Sequence, residues 1–184
     1  MNETIKHIKA RNSCRDFHSK PLTDEQVKTL VEAALAAPSA RNMQPWHVSV
    51  VTDKKFIEEI DAAGVVELAA GEDKTYYDRI MERGGKILYD APCLIVISAD
   101  NSEWAHVDSG ILCQNVVLAA ESMGLGSCII GLIRVALDGK NGADFKKRLM
   151  FPEGHDFVVS VLVGDVKTGK PPHDLDFKRV SHIK

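Results

Sequence analysis

The chain has 184 residues, with 23 Lys and Arg against 26 Asp and Glu and a formal net charge of −3. This length suits a single domain spanning 1–184, and a small acidic charge without a basic stripe argues against a nucleic-acid partner. No apolar run reaches the roughly 18 residues that a transmembrane helix needs, and the first ten residues are too polar for a secretory signal. We therefore expect a cytoplasmic protein with no membrane partner.

The N-terminal third predicts two helices. Ile5 and Ile8 lie three apart in a polar run, which indicates a short first helix. Thr23 and Gln26 have the spacing of a capping box, which predicts the start of a second helix. An apolar repeat typical of one helical face follows: Val27, Leu30, Val31, Ala34 and Leu35.

Between these helices lies the compact cluster Arg11-Asn12-Ser13-Cys14-Arg15. Arginine at the end of a helix is favoured by the helix dipole, so the cluster can be a solvated helix end. The other interpretation is an anion site, because the fork of donors on Arg matches phosphate oxygens. The pattern alone leaves both open.

The loop 36–46 is the most unusual stretch of the chain. It places Ser39, Asn42 and Gln44 between two prolines and ends in Trp46. Proline fixes φ and keeps the preceding residue extended, so these polar groups are held in place. Either the prolines simply mark the end of a helix and the start of a strand, or the loop binds a planar polar ligand.

The rest of the chain predicts alternating helices and strands. We expect strands at His47–Val51, Cys93–Ile97, Ser127–Gly131 and Phe157–Gly164, and helices at Lys54–Ala63, Asp108–Met123 and Ala143–Met150. In the long helix Asp108 is the expected cap, Ile111, Leu112 and Val116 are among the inward residues, and Gly124 is a C′ cap. Residues 64–90 indicate one or two short helices, and the apolar tail ending at Ile183 is expected to dock, with a partner subunit as candidate.

Cysteine and histidine spacing predicts neither disulfides nor a metal site. The four cysteines form no C-x-x-C pair, and the seven histidines show no ligand spacing. We expect free thiols, with Cys14 and Cys128 acting as packing residues rather than redox groups.

Four pieces of the chain, in order, carry a resemblance to a known family. They are Arg11-x-Ser13-x-Arg15 with Phe17 just after, Ala37-Pro38-Ser39-x-x-Asn42-x-Gln44-Pro45-Trp46, Gly124-Leu125-Gly126-Ser127 to Gly131, and Val158 to Gly164 before a Lys-Pro tail. Together they resemble the FMN-dependent nitroreductase superfamily. The resemblance implies an α+β fold, a three-layer sandwich in which helices flank a central mixed β-sheet, and an intertwined homodimer with FMN at its interface.

The resemblance also implies a set of FMN-binding residues. Arg11, Asn12 and Ser13 would hold the phosphate and ribityl chain, and Arg15 would lie by the N1/O2 edge of the ring. The partner subunit would contribute Pro38, Ser39, Ala40 and Asn42, with Gln44 close by. The residues Cys128, Ile129, Ile130 and Gly131 would line the ring, with the last two backbone amides near N5, and Lys170 and His173 would fall at the phosphate. Ile130 replaces a Glu of some members, and His173 replaces a common Arg.

The implied activity is electron transfer from NADH or NADPH through FMN to a small electron-poor acceptor, such as a nitroaromatic or a quinone, by a ping-pong mechanism. No side chain acts as nucleophile or base, and Arg15 tunes the flavin electrostatically. Alternatives within the class are reductive dehalogenation, enone reduction or flavin fragmentation. From a different class, the chain can be a non-catalytic FMN-binding or sensing protein.

Overall fold

The computed structural model describes residues 2–184, which form seven α helices and four strands. The helices are α1 Glu3–Ala10, α2 Asp24–Leu35, α3 Lys54–Ala70, α4 Thr75–Met81, α5 Ala105–Ser122, α6 Arg134–Leu137 and α7 Gly142–Arg148. The strands are β1 Trp46–Val51, β2 Cys93–Ala99, β3 Gly126–Ile130 and β4 Asp156–Gly164. Short 3₁₀ turns lie at Ala40–Asn42 and Phe177–Arg179.

The strands form one sheet in the order β1-β2-β4-β3, and every neighbouring pair is antiparallel. The expected mixed sheet is therefore wrong for the four strands; within residues 2–184, parallel pairing is found at the isolated bridge between Ser13 and Ser127 alone. β1 and β3 are therefore the two edges of the sheet, and the segment before α2 runs along the β3 edge. A second bridge, between Phe17 and Val166, continues this contact.

Helices cover both faces of the sheet, which confirms the α+β sandwich. Each strand side chain alternates between the faces, so Leu94 and Val96 of β2 join one core while Cys93 and Ile95 join the other. The first core also contains residues of α3, α6 and α7, and the second contains residues of α2 and α5. Complete burial of β2 on both faces was predicted from its continuous apolar run.

Several local predictions are confirmed. Thr23 and Gln26 form the reciprocal capping box of α2. Gly124 has φ +72° and follows α5 in a Schellman arrangement, since Leu125 N–H donates to Ala120 O at 2.9 Å and Gly124 N–H to Glu121 O at 3.0 Å. All four cysteines are buried free thiols.

Other predictions are wrong. α3 runs seven residues beyond the predicted end at Ala63, because the buried Gly64 continues the helix where it packs against Ile87 and Ala136. Asp108 lies inside α5 rather than capping it, since the helix begins at Ala105 after Trp104. The predicted inward positions Leu35 and Ile111 are exposed by 54% and 37%.

No helix within residues 2–184 has the length and apolar character needed to cross a bilayer. The tail from residue 166 to residue 184 is exposed along its whole length, including Phe177 and Ile183. Its expected docking partner stays a prediction.

Candidate functional site

The N-terminal arginine cluster is fixed on the β3 edge by backbone contacts. Cys14 N–H donates to Ser127 O at 2.8 Å, and His18 N–H donates to Asp165 O at 2.9 Å. Gly126 makes this approach possible, because a Cβ there would lie 3.0 Å from Cys14 Cβ and 2.6 Å from Val166 Cγ2. Gly126, the second glycine of the Gly-Leu-Gly motif, is thus needed for the close approach of the N-terminal segment to β3.

The two arginines of the cluster have different surroundings. Arg11 is half-buried, and its Nη1 is fully buried without a hydrogen-bond partner among residues 2–184. Buried donors are normally paired, so this nitrogen is a candidate for binding an external acceptor. Arg15 is exposed and lines a cleft of about 530 Å³ together with Cys128, Ile129, Ile130 and Gly131.

The thiol pKa values show which cations converge here. Burial raises the pKa of Cys14 and of Cys128 above its usual value, and nearby positive charges oppose the rise. Arg15 and Lys170 act on both thiols, and Arg11 acts on Cys128 as well. Arg11, Arg15 and Lys170 therefore share one region. Both thiols stay protonated at neutral pH, which favours the interpretation of Cys14 and Cys128 as packing residues.

Asp16 anchors the beginning of the tail beside this region. Its carboxylate accepts from Thr168 Oγ1 at 2.6 Å and pairs with Lys167 Nζ at 3.5 Å, and Lys167 N–H donates to Asp16 O at 3.0 Å. The Thr168 hydrogen bond is the main reason that the pKa of Asp16 is lowered. These contacts hold Lys170 near the cluster, whereas His173 has no side-chain hydrogen bond or ion pair with any described residue.

The end of β3 offers room for a flat ligand. Nothing lies within 4 Å of the position that a Cβ on Gly131 would take. Ile129 is 41% exposed on the same strand, while Ile130 and Cys128 are buried. A strand end that is apolar, open and followed by glycine lets a ring approach the backbone closely.

The proline-bounded loop is a rigid, strained structure on the opposite edge of the sheet. Ser39 Oγ accepts from Gln44 N–H at 2.9 Å, and Gln44 Nε2 donates to Asn42 Oδ1 at 3.1 Å. Arg41, Asn42 and Gln44 all have positive φ, between 48° and 56°, although none is glycine. Strain of this kind persists where the surrounding structure enforces it, commonly at ligand sites.

Asp108 is a residue that sequence reasoning assigned to the wrong role. It is 4% exposed, and both carboxylate oxygens accept from Ala40 N–H, at 3.1 and 3.2 Å. It therefore holds the loop from within α5. The contact joins residues 68 positions apart, and no local pattern in the sequence marks it.

The predicted residues thus fall into two groups in one protomer. The first group lies at the β3 edge and contains Arg11, Asn12, Ser13, Arg15, the Cys128–Gly131 strand end and Lys170. The second group precedes β1 at the other edge and contains Pro38, Ser39, Ala40, Asn42 and Gln44. The edge strands β1 and β3 are three strand spacings apart, or roughly 14 Å.

The structure adds residues to the cleft that sequence reasoning missed. Tyr76, Arg79 and Arg83 of the α4 region line it, as do Tyr89 and Arg134. Arg79 and Arg83 are four residues apart, the same spacing as Arg11 and Arg15. This repeated spacing is the feature of the sequence that could have indicated a second pair of site arginines.

Comparison with known proteins identifies the family. Residues 8–165 match the sequence model described as the Nitroreductase family. The chain belongs to the nitroreductase family. This confirms the resemblance carried by the four motifs.

Individual relatives match over all or nearly all of the chain. A crystal structure of a nitroreductase with bound FMN from Desulfitobacterium hafniense DCB-2 has 45% identity and a TM-score of 0.96, and covers 100% of both chains. A nitroreductase with bound FMN from Bacteroides fragilis has 26% identity and a TM-score of 0.88, again over 100% of both chains. An NADPH-flavin oxidoreductase of Vibrio harveyi is 36% identical over 94% of this chain and 72% of its own length.

Proposed function

We propose that this nitroreductase-family chain is a single-domain FMN-dependent oxidoreductase that takes electrons from NADH or NADPH. The observation that carries the proposal is the cleft where Arg15 lies beside the open strand end at Gly131. Support comes from the FMN-bound nitroreductase whose fold matches along the entire chain. The name of the Vibrio harveyi relative supports a nicotinamide donor.

The residues of the β3 edge fit the charge and shape of FMN. The flavin phosphate is a dianion, and Arg11 offers a buried Nη1 that has no partner among the described residues, within the cationic region that also contains Lys170. Asn12 and Ser13 lie between the two arginines and would hold the remaining oxygens of the phosphate and ribityl chain. His173, which is exposed in the tail, would add a further basic ligand.

When bound, FMN supplies a ring that accepts a hydride and passes electrons on. Arg15 places a permanent positive charge in the cleft, which favours the ring's reduced, more negative form. Cys128, Ile129, Ile130 and Gly131 would exclude water from one side of the ring and would offer backbone donors to it. Because donor and acceptor enter the same cleft in turn, the kinetics are ping-pong, and nitroaromatics or quinones are the expected acceptors.

The site is completed by a second copy of this chain. Exposed apolar side chains lie on α1, α2 and α5, which pack together in one layer: Ile5, Ile8, Leu35, Val107 and Ile111. Large exposed apolar surfaces commonly mark interfaces. A homodimer would cover this layer and bring the partner's loop to the cleft, which one protomer does not do. The cytoplasmic location stays a prediction from the sequence.

The direct test is the colour of the purified protein. We expect a yellow FMN complex that bleaches under anaerobic NADH or NADPH and recolours on addition of a nitroaromatic or a quinone. A yellow protein inert to both nicotinamides would indicate an FMN-binding protein without this activity. A protein unable to take up FMN would contradict the proposal altogether.

A further inference from the structure

The cleft at Arg15 has a strong charge bias. Its lining contains four arginines, Arg15, Arg79, Arg83 and Arg134, and no Asp or Glu. The cavity between α3 and α7 is different, because Glu59, Glu67 and Asp144 line it beside Lys140 and Arg148. A cleft that collects one sign of charge raises the local concentration of ligands of the other sign.

One of these arginines, Arg134, already binds other residues of the protein. Arg134 Nη2 donates to Phe157 O at 2.6 Å, its guanidinium lies 5.1 Å from the Phe157 ring centre, and Nη1 lies 3.8 Å from Asp138. Within residues 2–184, Arg79 and Arg83 take part in no side-chain hydrogen bond or ion pair, and both are exposed. Arg134 is structural, while Arg79 and Arg83 present their donors to the cleft.

The α4 region orients this pair. Tyr76, Arg79 and Ile80 lie at helical spacing in α4, and Arg83 follows in the turn after the helix, where its N–H donates to Ile80 O at 3.0 Å. Ile80 is 3% exposed in the core, which fixes the rotation of α4 relative to the cleft. Tyr76 and Tyr89 also line the cleft, so an aromatic surface accompanies the cations.

We propose that Arg79 and Arg83 bind a carboxylate or phosphate group on the substrate that enters this cleft, so that anionic substrates are preferred over neutral ones of the same shape. The inference rests on the proposed function for the reaction, but the binding of the anion to the two arginines can be measured without turnover. The anion belongs either to the acceptor or to the donor, where NADPH carries a 2′-phosphate that NADH lacks. Each source has its own arm in the test.

The acceptor arm compares 4-nitrobenzoate with its neutral methyl ester. In the Arg79→Gln/Arg83→Gln double variant we expect the ratio of kcat/KM for the acid to that for the ester to fall about five- to ten-fold, the loss of charge-assisted contacts at an exposed site. The donor arm measures the NADPH to NADH ratio of kcat/KM in the same way. Lys147→Gln removes one exposed charge from α7, outside the lining of the cleft, and is the control for a loss of surface charge elsewhere.

Binding is measured independently of turnover, by calorimetric titration of 4-nitrobenzoate and of adenosine 2′,5′-bisphosphate. We expect at least one to bind the wild type more tightly than the double variant, with partial recovery in Arg79→Lys/Arg83→Lys. If neither kinetic ratio changes and neither anion loses affinity, the inference is overturned. A protein that binds the anion through these arginines but reduces nothing contradicts the proposed function and leaves this inference standing.

Discussion

At the scale of single residues, the N-terminal cluster separates two roles that its sequence presents as one. Arg11 is half-buried, with an Nη1 that no residue of 2–184 accepts from, and Arg15 is exposed in the cleft. Both side chains lower the Cys128 pKa against the stronger effect of burial, so both lie close to the same strand. We expect Arg11 to anchor the cofactor and Arg15 to set its electronics.

Arg15→Ala should make bound FMN harder to reduce. Loss of one charge-assisted contact, about 1–3 kcal/mol, corresponds to a two-electron midpoint potential roughly 20–60 mV more negative. Arg15→Lys keeps the positive charge and should recover part of the shift. A redox titration measures all three proteins, and an unchanged potential in Arg15→Ala would remove the proposed role.

Asp61 of α3 supports the wall of the cleft. It is half-buried and accepts Leu88 N–H at 2.7 Å, which fixes the segment that carries Tyr89. Asp61→Ala should cost about 1–3 kcal/mol of stability because it leaves that amide unpaired. Asp61→Asn keeps an oxygen acceptor and should cost less. Equal costs in denaturant titrations would show that the hydrogen bond is not the cause.

The same residue predicts a pH dependence. Burial, opposed by the Leu88 and Ile87 amides, raises the pKa of Asp61 above its ordinary 3.8. The folded state then holds this proton more tightly than the unfolded state, so its contribution to stability falls as pH rises from about 3.8 through the folded pKa, and is level above it. The difference between wild-type and Asp61→Asn unfolding free energies should show this fall. A difference that rises with pH would contradict it.

At the scale of elements, the sequence predicted those parts of the fold that depend on local pattern. The β2 run, the Thr23 capping box and the Gly124 terminator are each encoded within a few residues, and the structure has all three. α3 passes through Gly64 because tertiary packing on Ile87 outweighs the low helix propensity of glycine. The Asp108 contact to Ala40 and the placing of Arg79 in the cleft depend on distant segments, which a local pattern does not encode.

The packing of the N-terminal segment on β3 gives an element-scale prediction. Gly126→Ala places a methyl group within 3.0 Å of Cys14 Cβ and of Val166, so it should cost about 1–3 kcal/mol and weaken FMN retention by displacing Arg11 and Arg15. Gly124→Ala is the control, because its Cβ meets nothing and only its positive φ is strained, at about 1–2 kcal/mol. Equal FMN retention in both variants would exclude a special role for this contact.

At the scale of the whole molecule, the central claim is that each site combines two protomers. The cationic group lies at the β3 edge and the strained amide loop precedes β1 at the opposite edge, so the proposed site takes one group from each protomer. The exposed apolar side chains of α1, α2 and α5 and the exposed tail would provide the surface on which a second copy docks in the proposed homodimer. The proposed function of every predicted site residue depends on this arrangement.

Complementation between two inactive variants tests the claim most directly. Arg11→Ala and Asn42→Ala homodimers should each retain little FMN, while the purified mixed dimer should retain about one FMN per dimer, because one of its sites is built from wild-type Arg11 and wild-type Asn42. The other site carries both substitutions. Absorbance of the purified mixed dimer measures the recovery. A mixed dimer that holds no more FMN than either parent would show that the site does not cross the interface.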